Sequence, residues 1–209
     1  MSESRKDKNG KAIYKNVNYC NETVLINGTS LVNLPERYSR GRDFNEGLAA
    51  VAIIKEEEGP FSPYRKRNMY LWGFINISTD EIIECIYDEV SDFMYGYSVA
   101  SLLRKKGIIN KFGESVVPFE YNEIVILSKD YIKVSKNGYT GLINFNNELV
   151  APIIYSDVLE PTEGLFPVKQ DSLWGFINSQ NELIIDTKYT SVRHFHEGMA
   201  AVSEKKRWT

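Results

Sequence analysis

"LWGFIN" runs from Leu71 to Asn76, and the same six letters return from Leu173 to Asn178. The copies lie 102 residues apart, three steps of 34. Counting back from Ile177 by 34 lands on Ile143 in "GLIN", Ile109 in "GIIN" and Ile75 in "GFIN". Asn178, Asn144, Asn110 and Asn76 follow these isoleucines, and Gly175, Gly141, Gly107 and Gly73 precede them by two positions. A tyrosine stands twelve residues beyond each: Tyr189, Tyr155, Tyr121 and Tyr87. Four residue types holding one period establish a repeat. Periods of 20–50 residues build arrays of small units, none of which buries a core alone.

The same register extends, more weakly, toward the N-terminus. "VLIN" ends at Asn27, and Tyr38 lies twelve residues beyond Ile26. From Ile26 to Ile75 is 49 residues, one period plus 15. The surplus falls in "EEEGPFSPYRKRNMY", residues 56–70, whose charge and prolines read as a surface loop inserted into the array. The expected organisation is thus an N-terminal segment, 1–23, with one degenerate strand ("AIYKNV"), followed by a repeat array over 24–209.

Each unit alternates short apolar runs with polar turns every seven to eleven residues, and no 3.6-residue stripe survives. That pattern predicts an all-β protein with about three short strands per repeat of roughly 34 residues. In "WGFIN" alternation sets Trp72, Phe74 and Asn76 on one side and Gly73 and Ile75 on the other, so both faces should be covered. The glycine would admit a neighbouring backbone or ring, and the asparagine would bond its own backbone two residues on and start the turn. The tyrosine reads as a core ring with its hydroxyl at the rim. Pro118 and Pro152 share one repeat position and predict a kink or a strand edge. Two arrangements fit the register. One is an open, twisted solenoid; the other is a closed, propeller-like ring. The ring draws on Trp208 and Thr209, which hold the tryptophan and glycine positions of a further unit, while Val24 resumes at the glycine position.

"NEGLAAV" (45–51), "TEGLFPV" (162–168), "HEGMAAV" (196–202), "FGESVVPFEYNEI" (112–124) and the two "LWGFIN" words together resemble the WG β-repeat family of bacteria. Lys106 and Thr140 stand where that family has tryptophan, and asparagine replaces its usual aspartate. The resemblance implies binding or scaffolding modules with no assigned catalytic constellation.

Composition narrows the function. The chain has 209 residues, 43% hydrophobic and 25% charged, with a net charge of −3. A soluble globular protein is expected, and a general nucleic-acid binder is disfavoured, since its footprint would be basic. The polar N-terminus "MSESRKDKNGK" carries no apolar run, so neither a signal segment nor membrane insertion is expected and a cytoplasmic location follows. Cys20 and Cys85, outside any metal-ligand or redox spacing, read as reduced structural thiols. His194 and His196 in "RHFHEG" share one side of an extended segment, but no third ligand accompanies them. With no phosphate loop and no nucleophile elbow, the chain reads as a non-enzyme without cofactor or metal.

One distribution points to binding. The turns before the "WG" positions carry Arg65, Lys66 and Arg67; Arg104, Lys105 and Lys106; Lys136; and Lys205, Lys206 and Arg207. Equivalent turns of an array align, so these residues should form a basic rim beside an acidic face carrying Glu114, Glu120, Glu123 and Asp157. The expected function is a scaffold that binds a protein or peptide partner of acidic character, with the 56–70 insertion conferring specificity. The alternative is a module for anionic small molecules, nucleotides or cell-wall glycans.

Overall fold

The computed structural model describes residues 23–26, 30–59 and 62–204, with side chains described for 32–55 and 69–204. The 1–22 segment, the final Lys205 to Thr209 and the expected head-to-tail closure at Trp208 lie outside the described residues. Everything described is strand and turn. Among these residues no helix is long and apolar enough to cross a membrane. The chain divides into two compact units, one of Met1–Leu102 with Asn110–Glu114, the other of Leu103–Ile109 with Ser115–Thr209.

In the first unit β1 (Thr23–Ile26) and β2 (Ser30–Asn33) make a two-stranded sheet. A four-stranded antiparallel sheet follows, built from β3 (Arg40–Asn45), β4 (Leu48–Gly59), β5 (Ser62–Ile75) and β6 (Glu81–Tyr87) in chain order. Then β7 (Glu89–Val90) pairs with β8 (Tyr97–Leu102). The second unit opens with β9 (Lys105–Asn110) paired to β10 (Ser115–Tyr121). One four-stranded sheet of this unit holds β11 (Glu123–Ile126), β12 (Ile132–Lys136), β13 (Tyr139–Ile143) and β14 (Leu149–Tyr155). Another holds β15 (Asp157–Val158), β16 (Phe166–Gln170), β17 (Leu173–Ile177) and β18 (Leu183–Tyr189). Last come β19 (Ser191–Val192) and β20 (Val202–Ser203), a two-stranded sheet. The three substantial strands expected of each repeat are present. A fourth precedes them and shrinks to two residues in β7, β15 and β19, too short to show any alternation. None of these sheets closes into a barrel.

The repeated residues sit where their chemistry requires. Trp72, Phe74 and Ile75, and likewise Trp174, Phe176 and Ile177, are buried, so the "WGFI" strand is covered on both faces as expected. Phe74 meets Phe93 edge-on at 4.8 Å between ring centres, and Phe176 meets Phe195 at 5.0 Å. Each pair joins one sheet to the segment ahead of the next sheet's second strand. Between the second unit's complete sheets, Leu142, Ala151 and Tyr155 pack on Val158, Phe166, Val168 and Ile177. In the first unit Leu34 and Tyr38 pack on Phe44, Ala49, Val51, Ile75 and Cys85. Stacked sheet faces therefore make the core. Pro118 and Pro152 lie on β10 and β14, both edge strands, where a missing N–H does no harm.

The strand-closing asparagines do more than the sequence suggests. The side-chain oxygens of Asn110, Asn144 and Asn178 accept from the backbone N–H groups two and four residues on. Their amides donate to Glu114, Glu148 and Glu182 at 2.6–2.8 Å. Asn76 does the same toward Asp80. Each turn is thus closed from both ends of one amide. Glu114, expected on an acidic face, is thus a turn lock.

Tyr38, Tyr87, Tyr121 and Tyr155 are all buried, and burial raises the pKa of each phenol. Above pH about 10 the unfolded chain loses these protons while the folded chain holds them. The folded state then binds more protons, so stability is full below pH about 10 and falls as pH climbs through the raised folded values. Unfolding midpoints in denaturant should drop as the pH rises above about 10, and replacing Tyr87 and Tyr155 with phenylalanine should flatten the drop. A curve unchanged by those substitutions would place the alkaline sensitivity elsewhere.

Candidate binding surface

The residues 56–70 do not form a loop. They extend the two central strands of the first four-stranded sheet, and β4 stays paired with β5 from Ala49↔Ile75 out to Gly59↔Ser62. The flanking strands stop early: β3 reaches only Arg40↔Ala52, and β6 only Tyr87↔Trp72. From Ile53↔Leu71 outward the hairpin is a two-stranded ribbon, and among the described residues no strand pairs with either edge. Lys55, Glu56, Glu57 and Glu58 stand across from Met69, Asn68, Arg67 and Lys66. Two of these register positions, Glu57↔Arg67 and Glu58↔Lys66, join residues of opposite charge in the sequence. A run of one sign before the turn and the other after it was the legible signal, and it was missed because the prolines suggested a loop.

The ribbon's base is tied down by arginines. Arg40 lies over the Tyr70 ring at 3.7 Å and Arg42 over Trp72 at 4.4 Å. Arg42 also donates to the Val90 carbonyl at 2.8 Å and pairs with Asp92. The alternating "RGRD" puts both arginines on one face of β3, above a floor of small alanines (Ala50, Ala52) that leaves room for the stack. Beyond this base Ile54 and Met69 are exposed.

The basic rim is only partly assembled. Arg65, Lys66 and Arg67 lie on β5 of the ribbon, and Lys205, Lys206 and Arg207 are outside the described residues. Arg104 follows Leu103 in a two-residue turn, both at positive φ, and Lys105 leads into β9. Lys106 and Lys136 are brought together around Tyr121: Lys106 is its cross-strand partner, and the Lys136 ammonium lies 6.0 Å from the ring centre. Both lysines are already matched, Lys106 by Glu123 and Lys136 by Glu120 at 2.9 Å. Lys133 pairs with Asp157 in the same way. The corresponding turn between β16 and β17 carries Asp171 and Ser172, which breaks the basic series. Lys106, Lys133 and Lys136 thus stand beside Glu123, Asp157 and Glu120, residues expected on a separate acidic face. Such half-exposed pairs stabilise little, and a double-mutant cycle on Lys136 and Glu120 should return about 0.2–1 kcal/mol, shrinking in half-molar salt.

The remaining candidates are quickly placed. His194 and His196 are both exposed, and no group of three or more His, Cys, Asp or Glu among the described residues is disposed to hold a metal ion. Cys85 is buried, with its thiol pushed up to about 11 chiefly by burial, so it stays protonated and inert. An open depression of about 560 Å³ is lined by Tyr139, Ile153, Ile154, Ser156, Gln170 and Asp171. Its rim residues Tyr139 and Ile154 remain 55% and 60% exposed, unlike the walls of a site that encloses a small molecule.

The repeat geometry explains the "EG" words. The Glu46 carboxylate accepts from the Gly96 N–H, and that of Glu163 from the Gly198 N–H, both at 2.9 Å. Each clasp reaches from one repeat to the glycine that opens the next. The family model described as "WG containing repeat" matches residues 72–102, 107–139, 141–174 and 174–208. This chain belongs to the WG-repeat family. No curated protein matches it. The solved structure titled "KlHsv2 with loop 6CD replaced by a Gly-Ser linker" is similar at a TM-score of 0.36 and 11% identity. The match covers 71% of this chain and 51% of that one, and a likeness so slight carries no argument. Within the WG repeats, the tryptophan buries its ring under a cation, Arg42 over Trp72 and Lys169 over Trp174 at 5.6 Å. Where Lys106 and Thr140 replace it, smaller polar contacts stand in, Lys106 to Glu123 and Thr140 to Ser135.

Proposed function

We propose that this WG-repeat protein is a non-catalytic scaffold that binds a protein partner through the β4–β5 ribbon. The supporting observation is the ribbon itself: paired backbone running past its sheet, with N–H and C=O groups on both edges that no strand among the described residues pairs, and apolar Ile54 and Met69 at its root. An unpaired strand edge is a template for an added strand, and main-chain hydrogen bonds to an extended peptide supply the affinity. Loops and insertions unique to one unit of an array are where such specificity sits. The facing acids and bases nearly cancel, so strand pairing and apolar contact, rather than attraction to an acidic partner, dominate this reading.

Joining Ile53 to Leu71 through an Asn-Gly turn, the pair that already connects β12 to β13 at Asn137 and Gly138, removes the ribbon and leaves the sheet. The shortened protein should keep its thermal midpoint within a few degrees. In a quantitative pull-down from the source lysate, a partner held by the full protein should be lost by the shortened one and largely retained in half-molar salt. A partner that the shortened variant still holds, or one released by salt alone, would move the interface off the ribbon.

A further inference from the structure

Within the second unit, the line where one repeat meets the next is built twice from different side chains. Where β10 meets β12, Glu120 takes the Lys136 ammonium at 2.9 Å. There the Asn122 side chain also accepts from the Asn137 N–H at the hairpin tip, at 3.1 Å. One period on, β14 meets β16, and all four residues change. Ile154 stands for Glu120, Gln170 for Lys136, Ser156 for Asn122 and Asp171 for Asn137. No ion pair can bridge Ile154 and Gln170, and the Ser156 hydroxyl donates to the Lys169 carbonyl at 3.0 Å instead of holding the tip. The depression of about 560 Å³ lies at this second junction, with Tyr139 in the place of Lys105.

The lining sorts ligands by their chemistry. Among the described residues its one charged group is the Asp171 carboxylate, which disfavours phosphates, nucleotides and other anions. A single solvated carboxylate holds a cation weakly as well. What remains is apolar and polar surface side by side. Tyr139 presents an exposed ring, and Ile153 and Ile154 continue it. The negative face of an aromatic ring attracts polarised C–H groups. Gln170 adds an amide that both donates and accepts, Asp171 adds two acceptor oxygens, and the Tyr139 hydroxyl serves either way. Among the described residues these three side chains have no hydrogen-bond or ion-pair partner.

We propose that this depression binds a neutral saccharide, which stacks on Tyr139 and hydrogen-bonds to Gln170 and Asp171. A pyranose has the matching form: one face of C–H groups, edged by hydroxyls that each donate and accept. The volume falls within the range of about 300–1,000 Å³ usual for ligand sites. Because the site is open, it holds about one or two units of a sugar chain whose remainder stays in solvent. This inference goes beyond the protein-binding reading, since the ribbon belongs to the first unit and the depression to the second.

The test presents the full-length protein to an array of neutral oligosaccharides of glucose, galactose, mannose and N-acetylglucosamine, and titrates what binds by calorimetry. At least one should bind, with a dissociation constant of about 10 μM to 1 mM. Tyr139→Ala should weaken that binding about tenfold, and Tyr139→Trp should keep it, because an indole offers the same kind of face. A double variant, Ile154→Glu with Gln170→Lys, copies the ion pair of the preceding junction into the depression. It should hold its thermal midpoint within a few degrees and lose the saccharide. The variant lacking the β4–β5 ribbon should bind the saccharide unchanged, which keeps this test separate from that of the ribbon. Three results would overturn the proposal: no neutral saccharide bound at about 1 mM, undiminished binding by the double variant, or binding of acidic glycans alone.

Discussion

Truncating Phe176 to alanine should lower the unfolding free energy by roughly 3–5 kcal/mol, the range for removing a fully buried aromatic ring. Phe176 is 0% exposed, and its ring is fixed by the edge-on contact with Phe195 from the following half-sheet. The loss therefore has two parts, apolar transfer and a cavity between sheets that packed backbones cannot collapse to fill. Trp174→Ala belongs in the same range, since the indole is buried and lies under Lys169. Chemical denaturation monitored by far-UV circular dichroism measures both. A cost below about 1 kcal/mol for Phe176→Ala would mean that the stacked faces do not hold the array together.

Gly175→Ala adds a single methyl group and should cost about 3 kcal/mol, at the upper end for overpacking. A Cβ at Gly175 would lie 2.5 Å from the Ile185 carbonyl oxygen and 2.8 Å from the Thr187 nitrogen. These are backbone atoms of the bulged β18, where the β17–β18 register shifts, so no side chain can swing aside. Gly73 and Gly141 face the same obstacle, at 2.3 Å from the Ile83 oxygen and 2.6 Å from the Ala151 oxygen. Gly164 is the internal control. Its φ is +77° with open space around the missing Cβ, so Gly164→Ala should cost only about 1–2 kcal/mol, the left-handed penalty. Equal costs at the two sites, read from the same denaturation curves, would refute the close-approach account.

These two predictions explain why glycine recurs at 34-residue intervals in the WG repeats. One class of glycine lets an adjacent strand bulge inward, and the other lets the chain turn with positive φ before the second strand. The glutamate clasps use that second class, since the left-handed turn aims the Gly96 and Gly198 N–H groups back at the preceding repeat. Repeat spacing is thereby set by backbone geometry as well as by apolar stacking.

The period, the buried "WGFI" strand, the asparagine turn and the core tyrosine were all legible in the sequence. Each rests on interactions that recur in every unit, so four copies expose the same constraint. The ribbon, the two-residue strands and the charge pairing were not legible in that way. Two residues of strand show no alternation, and β15 exists only because Asp157 and Val158 find Lys169 and Val168 across the sheet. Lys106 and Lys136 read as free basic residues because Glu123 and Glu120 lie 17 and 16 positions away, a distance that only hairpin closure and cross-strand register bring to bonding range. The sequence by itself determined the repeat and its core, which depend on periodic burial. The tertiary structure alone decided which charges are matched and which strand edges stay open, because those depend on how far each pair of strands keeps its register.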